Sequence, residues 1–138
     1  MNNRVFFDSN VWLYLFVDND DSKAQIAENF LDKNKVSHTF IISYQVINEV
    51  SNVLKRKGFP EPDIRAIIEL MSKICIIQDY SKEIALMASH IREKYMFSFW
   101  DSHIVAAAAA ANCDILVSED MQSEMSLENL VIKNIFAG

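Results

Sequence analysis

Three short runs, Val5-Phe6-Phe7, Thr39 to Ile42 and Ile115-Leu116-Val117, lack the polar alternation of a strand with one wet face. Successive side chains of a strand point to opposite faces, so a run that is apolar or β-branched throughout buries both of them. Such strands belong in a parallel sheet covered by helices on each side. The segments between them agree. Asn10 to Phe16 suits a short helix, and Asp18-Asn19-Asp20-Asp21 reads as a solvated loop. Ser22-x-x-Gln25 then reads as a capping box, with Ala24, Ile26, Ala27, Phe30 and Leu31 at helical spacing to about Lys35. Tyr44 to Lys57 is helical in period and ends at Gly58, a good residue to follow a helix. Pro60-Glu61-Pro62 opens a helix to about Lys73, Ile74 to Ile77 reads as a third strand, and Ser81 caps a helix to about Tyr95. Asp101 to Asn112, rich in alanine, is a further helix, and Leu130 to Ile135 is a fifth strand. Residues Met121 to Asn129 carry no clear pattern. The expected class is α/β: a three-layer sandwich around a mostly parallel, five-stranded sheet, in one domain over residues 1–138.

Composition narrows the function. The chain has 138 residues, 51% of them hydrophobic, with only 2 Gly and 2 Pro, which suits a folded globule and excludes linker-like or disordered chains. Its longest apolar run, Ile104 to Ala111, is 8 residues, against the ~20 that a spanning helix requires, so no membrane span is expected. The N-terminal Met1-Asn2-Asn3-Arg4 lacks the marks of a secretory signal, and the expected location is the cytoplasm. Cys75 and Cys113 suit neither a disulfide framework nor a redox pair, and read as packing residues. With 13 Lys+Arg against 19 Asp+Glu, a formal charge of −6 argues against coating nucleic acid through bulk charge. Any chemistry on nucleic acid must be local.

In open α/β sheets the ligand site lies beyond the carboxyl ends of the strands. Asp8 closes the first strand there, and Asp120 lies just past the fourth. Glu49 interrupts the apolar stripe formed by Val46 and Val53, and Asp101 continues the face of Ile104 and Val105. Each has an ordinary explanation. Asp8 suits a helix cap, Ser98-Phe99-Trp100-Asp101 a capping box, Asp120 a turn, and Glu49 a surface pair. Taken together, four acids mapping to one edge are harder to explain by chance. Two carboxylates ~4 Å apart at an effective dielectric near 20 repel by about 4 kcal/mol. No Lys, Arg or His is close in sequence to Asp8 or Asp120, so a divalent cation is the natural partner. Oxygen-only ligands suit Mg²⁺ or Mn²⁺ over zinc. His103, close to Asp101, reads as a residue of the helix surface. An acid-bound metal ion points to hydrolysis of a phosphodiester.

These residues resemble the PIN-domain nucleases, most closely the VapC-like ribonuclease toxins of prokaryotic toxin/antitoxin pairs. The resemblance rests on Val5-Phe6-Phe7-Asp8-Ser9-Asn10, on Ile42 to Val50 around Glu49, on Trp100-Asp101-Ser102-His103 with Ile104 to Ala108, and on Leu116-Val117-Ser118-Glu119-Asp120. It implies that Asp8, Glu49, Asp101 and Asp120 bind Mg²⁺ or Mn²⁺ and carry catalysis, with Ser9, Asn10 and Ser118 in support. It further implies an RNA substrate, a homodimer and a cognate antitoxin that occludes the active site. Glu119 is an extra acid on which the resemblance is silent. Lys55-Arg56-Lys57 is the only dense basic cluster, suited to phosphate binding or simply to a helix C-terminus. Setting the four site acids aside leaves 15 acids against 13 bases, a nearly balanced surface. Trp12, Tyr14, Phe16, Phe99 and Trp100 could stack bases, seal a dimer or fill the core. Two other classes fit less well. A phosphorylated receiver module wants adjacent acids after the first strand and a Lys after the last, and neither is present; a PIN-like fold kept only for protein binding has no need of four acids.

Overall fold

The computed structural model describes residues 3–17, 21–121 and 124–137. The elements run β1 (Arg4–Phe7), α1 (Ser9–Phe16), α2 (Asp21–Asn34), β2 (Thr39–Ser43), α3 (Tyr44–Arg56), α4 (Glu61–Ile74) and β3 (Ile76–Gln78). They continue with α5 (Lys82–Lys94), α6 (Phe99–Ala110), β4 (Ile115–Val117), β5 (Ser126–Leu127) and β6 (Leu130–Lys133). The strands form one sheet in the order β3-β2-β1-β4-β6-β5. All pairings are parallel except that of β5 with β6.

The apolar runs are the reason for this arrangement. Val5, Phe6 and Phe7 are fully buried although their side chains alternate between faces, so both faces of β1 are covered. Phe7 meets Trp12, Phe30 and Phe40 edge to face at centroid distances of 5.8, 5.8 and 5.0 Å, joining β1 to α1, α2 and β2. Helix α1 packs on both α2 and α3, and α5 packs on α6. Two helix ends are closed in the same way. After α3, Gly58 N–H donates to Lys55 O at 3.0 Å and Phe59 N–H to Leu54 O at 3.1 Å, with Gly58 at φ 90°. After α6, Asn112 at φ 57° plays the glycine's part, with Asn112 and Cys113 donating to Ala109 and Ala108, each at 3.0 Å. Cys75 and Cys113 are free and buried, and burial pushes both thiols up to about 12, as packing residues require.

Several boundaries differ from the sequence reading. Helix α2 already includes Asp21, so Ser22 lies in its first turn instead of capping it; residues 18–20 fall outside the described residues. Ile74 belongs to α4, because Cys75 N–H still bonds to Met71 O at 2.9 Å, and the third strand starts only at Ile76. Helix α6 starts at Phe99, two residues ahead of Asp101. The last parallel strand stops at Lys133, where the Asn134 side chain turns back to accept from Phe136 N–H at 2.9 Å. The sheet has a sixth strand, the two-residue β5, which came from the stretch without pattern. It depends on left-handed Glu124 and Glu128, residue types that do not advertise such a turn.

A Cβ on Gly58 would meet nothing within 4 Å, so Gly58→Ala costs backbone strain alone. The variant should lose about 1–2 kcal/mol of stability, read from urea denaturation, with its helix content unchanged.

Candidate active site

Parallel pairing of β1 with β4, Phe7 opposite Val117, brings the ends of both strands together. Just beyond, Asp8 N–H donates to Val117 O at 3.0 Å, and the chain turns into α1. Asp8 is the cap of that helix, its Oδ1 accepting from Ser9 N–H at 2.7 Å. The ordinary explanation therefore holds for it, but does not exhaust it. Its second oxygen accepts from the Ser118 hydroxyl at 2.8 Å, and the carboxyl is only 7% exposed. Burial pushes Asp8 up to about 6 against the pull of these two hydrogen bonds, and repulsion from Glu49 and Asp101 adds to the rise.

Glu49 lies on α3 between buried Val46 and Val50. Its Oε2 accepts weakly from Gln45 at 3.4 Å, whereas Oε1 is buried and has no partner among the described residues. Burial raises it above its ordinary value; Gln45 and Ser9 pull downward, and Asp101 repels it. Asp101 is the third residue of α6, its N–H donating to the Ser98 hydroxyl at 3.2 Å in the expected cap. It too is raised, first by burial, with repulsion from Asp120 added. Asp120, after β4, is exposed and accepts from the Asn10 amide at 3.4 Å. The other end of that amide, Asn10 Oδ1, is buried and unpaired among the described residues. Mutual repulsion thus runs from Asp8 to Glu49 and Asp101, and from Asp101 to Asp120. The four expected acids, with Ser9, Asn10 and Ser118, meet at one edge.

None of the four acids forms an ion pair among the described residues. Nor do any three His, Cys, Asp or Glu side chains, among those residues, stand ready to hold an ion unaided. An Mg²⁺ or Mn²⁺ ion held by these carboxylates together with water fits this donor set, which is all oxygen and includes the buried, unpaired Glu49 Oε1.

Glu119 has a different task. It pairs with Lys23 at 2.6 Å and accepts a hydrogen bond from Tyr14, while Lys23 also donates to Tyr14 at 3.0 Å. These bonds raise Lys23 well above its ordinary range, and they engage both oxygens of Glu119. The group ties the Asp120 loop to α1 and α2, and sequence spacing could not reveal it because the partners are roughly 100 residues apart. Lys55, Arg56 and Lys57 are not drawn into the site. They lie exposed at the far end of α3, beginning six residues or roughly 9 Å beyond Glu49, and Lys55 pairs with Glu61 at 3.1 Å. His103, read as a surface residue, is buried, with Nδ1 at 2.9 Å from Phe99 O and its ring against Phe99, Trp100 and Tyr80. Trp12 is core, whereas Phe99 and Trp100 are exposed.

A family model, the PIN domain, matches residues 5–125. The chain belongs to the PIN domain family. The fold of this PIN domain is shared with VapBC2 from Rickettsia felis, solved bound to a DNA fragment from its promoter, at a TM-score of 0.72 and 19% identity over 95% of this chain and 98% of that one. A toxin-antitoxin complex from Klebsiella pneumoniae matches at a TM-score of 0.68 and 20% identity, covering 92% and 95%. VapC20 from Mycobacterium tuberculosis, described as a toxin that cleaves the sarcin-ricin loop, matches at 0.63 and 16%, covering 81% and 86%. No curated protein matches this chain in sequence.

A buried acid with a raised pKa favours its neutral form in the fold. Its contribution to stability is therefore complete below the ordinary carboxylate value of 3.8 and is lost as pH rises through about 6. In EDTA, Asp8→Asn should flatten the fall in stability between pH 4 and 7.5. At pH 7.5 it should exceed the wild type by on the order of 1–3 kcal/mol in urea denaturation.

Proposed function

We propose that this PIN domain is a metal-dependent endoribonuclease, the toxin of a toxin/antitoxin pair, which hydrolyses RNA phosphodiesters. The observation that carries the reading is the unpaired Oε1 of Glu49, buried among carboxylates that have no cationic partner among the described residues. Asp8, Glu49, Asp101 and Asp120 would hold Mg²⁺ or Mn²⁺, with Ser118 and Asn10 orienting Asp8 and Asp120. Bound there, such an ion would supply Lewis acidity toward a phosphoryl oxygen and a lowered pKa for a water. Glu49 Oε1 would accept a proton from the water that attacks phosphorus, while the bond to the leaving oxygen breaks on the opposite side and that oxygen takes a proton from solvent; burial, which raises the Glu49 carboxyl, suits it to that task.

Support for the biological setting is of a different kind. Neighbours in fold include a VapBC assembly, a toxin-antitoxin complex and a toxin described as cleaving the sarcin-ricin loop. A cognate antitoxin, a homodimer and a cytoplasmic location belong to the same reading. No described helix is long and apolar enough to cross a membrane.

Asp8→Asn and Asp101→Asn should abolish cleavage of total cellular RNA while keeping the wild-type circular dichroism, and Glu49→Gln should slow it by roughly 10²–10⁴-fold. Calorimetry should register Mg²⁺ or Mn²⁺ on the wild type and not on Asp101→Asn. Undiminished cleavage by Asp8→Asn or Asp101→Asn would remove the site. A wild type silent to both metals and to RNA would leave a PIN fold used for protein binding.

A further inference from the structure

Beside the acids lies a cleft of about 810 Å³ that shares Glu49 with them, a volume in the range of small-ligand sites. One wall is aromatic. Trp100 is 62% exposed, Phe99 and Tyr80 are exposed beside it, and the His103 ring lies beneath all three at 4.6–5.9 Å between centroids. The platform is braced from behind. Phe99 meets Trp100 edge to face at 5.0 Å, and the Arg92 guanidinium covers Phe99 at 4.6 Å while donating to the Ser102 hydroxyl at 2.8 Å. The facing wall is the polar side of α3, where Gln45, Asn48 and Asn52 recur at helical spacing. Gln45 joins the two walls to the acids, because its amide reaches both Trp100 O at 3.2 Å and Glu49 at 3.4 Å.

Resting on the ribonuclease reading, we propose that this cleft takes an unpaired base of the substrate strand next to the scissile phosphate, stacked on Trp100 and read at its edge by the α3 amides. Exposed π-faces set against neutral amides match a nucleobase, which offers a flat face together with donors and acceptors at its rim. A purely apolar helix would leave those amides and Glu49 desolvated without partners, an arrangement that costs free energy. The preference for single strands has the same origin. Within a duplex each base face is already covered by its neighbours, so only a loop or an end can lay a base on Trp100.

The chain has two tryptophans, and Trp12 is fully buried, so quenching by acrylamide reports on Trp100. In EDTA, which suppresses metal-dependent cleavage, a 12-nucleotide single-stranded RNA should shield this fluorescence saturably. The same RNA annealed to its complement should not. In Mg²⁺, Trp100→Ala should raise KM for the single-stranded RNA by roughly 5–150-fold, and Trp100→Phe should recover most of the loss. Removing the base next to the cut should raise KM for the wild type by a similar factor and leave Trp100→Ala unaffected. An unchanged KM in Trp100→Ala, or a Trp100 no better shielded with RNA than without, overturns the proposal while leaving the ribonuclease reading intact. Shielding that grows with protein concentration alone also overturns it, because a second copy then covers the cleft. If the wild type cleaves no RNA, the ribonuclease reading falls by itself, and the fluorescence titration still decides whether a base stacks.

Discussion

The register of β1 against β4 sets everything else in the site. With Phe7 opposite Val117, the next residue on one strand is Asp8 and on the other Ser118, and the backbone bond from Asp8 to Val117 leaves the two side chains within hydrogen-bond reach. A parallel sheet places its strand ends on one edge, and the strand order changes direction about β1, where crossovers leave a crevice. The completely buried apolar side chains of both strands hold this register, since a slip by one residue would exchange the helix layers against which each of them packs.

That geometry has an electrostatic cost, and the molecule bears it openly. Asp8 accepts two hydrogen bonds, the usual way to keep a carboxyl ionised, yet its burial outweighs them. Glu49 and Asp101 are raised for the same reason, and neither has a cation nearby among the described residues. Lys23, the base in this neighbourhood that pairs with an acid among the described residues, holds Glu119, so it braces the Asp120 loop and leaves the four acids without an ion pair among those residues. A site arranged for folding alone would have paired its charges. This one is destabilised in a way that a bound cation would relieve.

Helices α3 and α6 contribute twice. Their inner faces deliver Glu49 and Asp101 to the acid edge, and their outer faces form the amide and aromatic walls of the neighbouring cleft. Gln45, bonded to both Glu49 and the Trp100 carbonyl, makes the two regions one structural unit. A shift of Trp100 would therefore be felt at Glu49 through a single side chain.

Local signals were enough for much of this. The unbroken apolar runs determined a parallel sheet, Gly58 and Ser98 determined helix ends, and the placement of Asp8, Glu49, Asp101 and Asp120 after strands or on inward helix faces singled them out, because each of these depends only on neighbours a few residues away. Tertiary structure alone decided the rest. It buried His103, left Trp100 exposed while Trp12 went into the core, withdrew Glu119 from the acids by pairing it with Lys23 and Tyr14, and added β5 through two left-handed glutamates. Those outcomes rest on contacts between residues distant in the chain, or on backbone conformations forced by packing, and neither periodicity nor residue type encodes them locally.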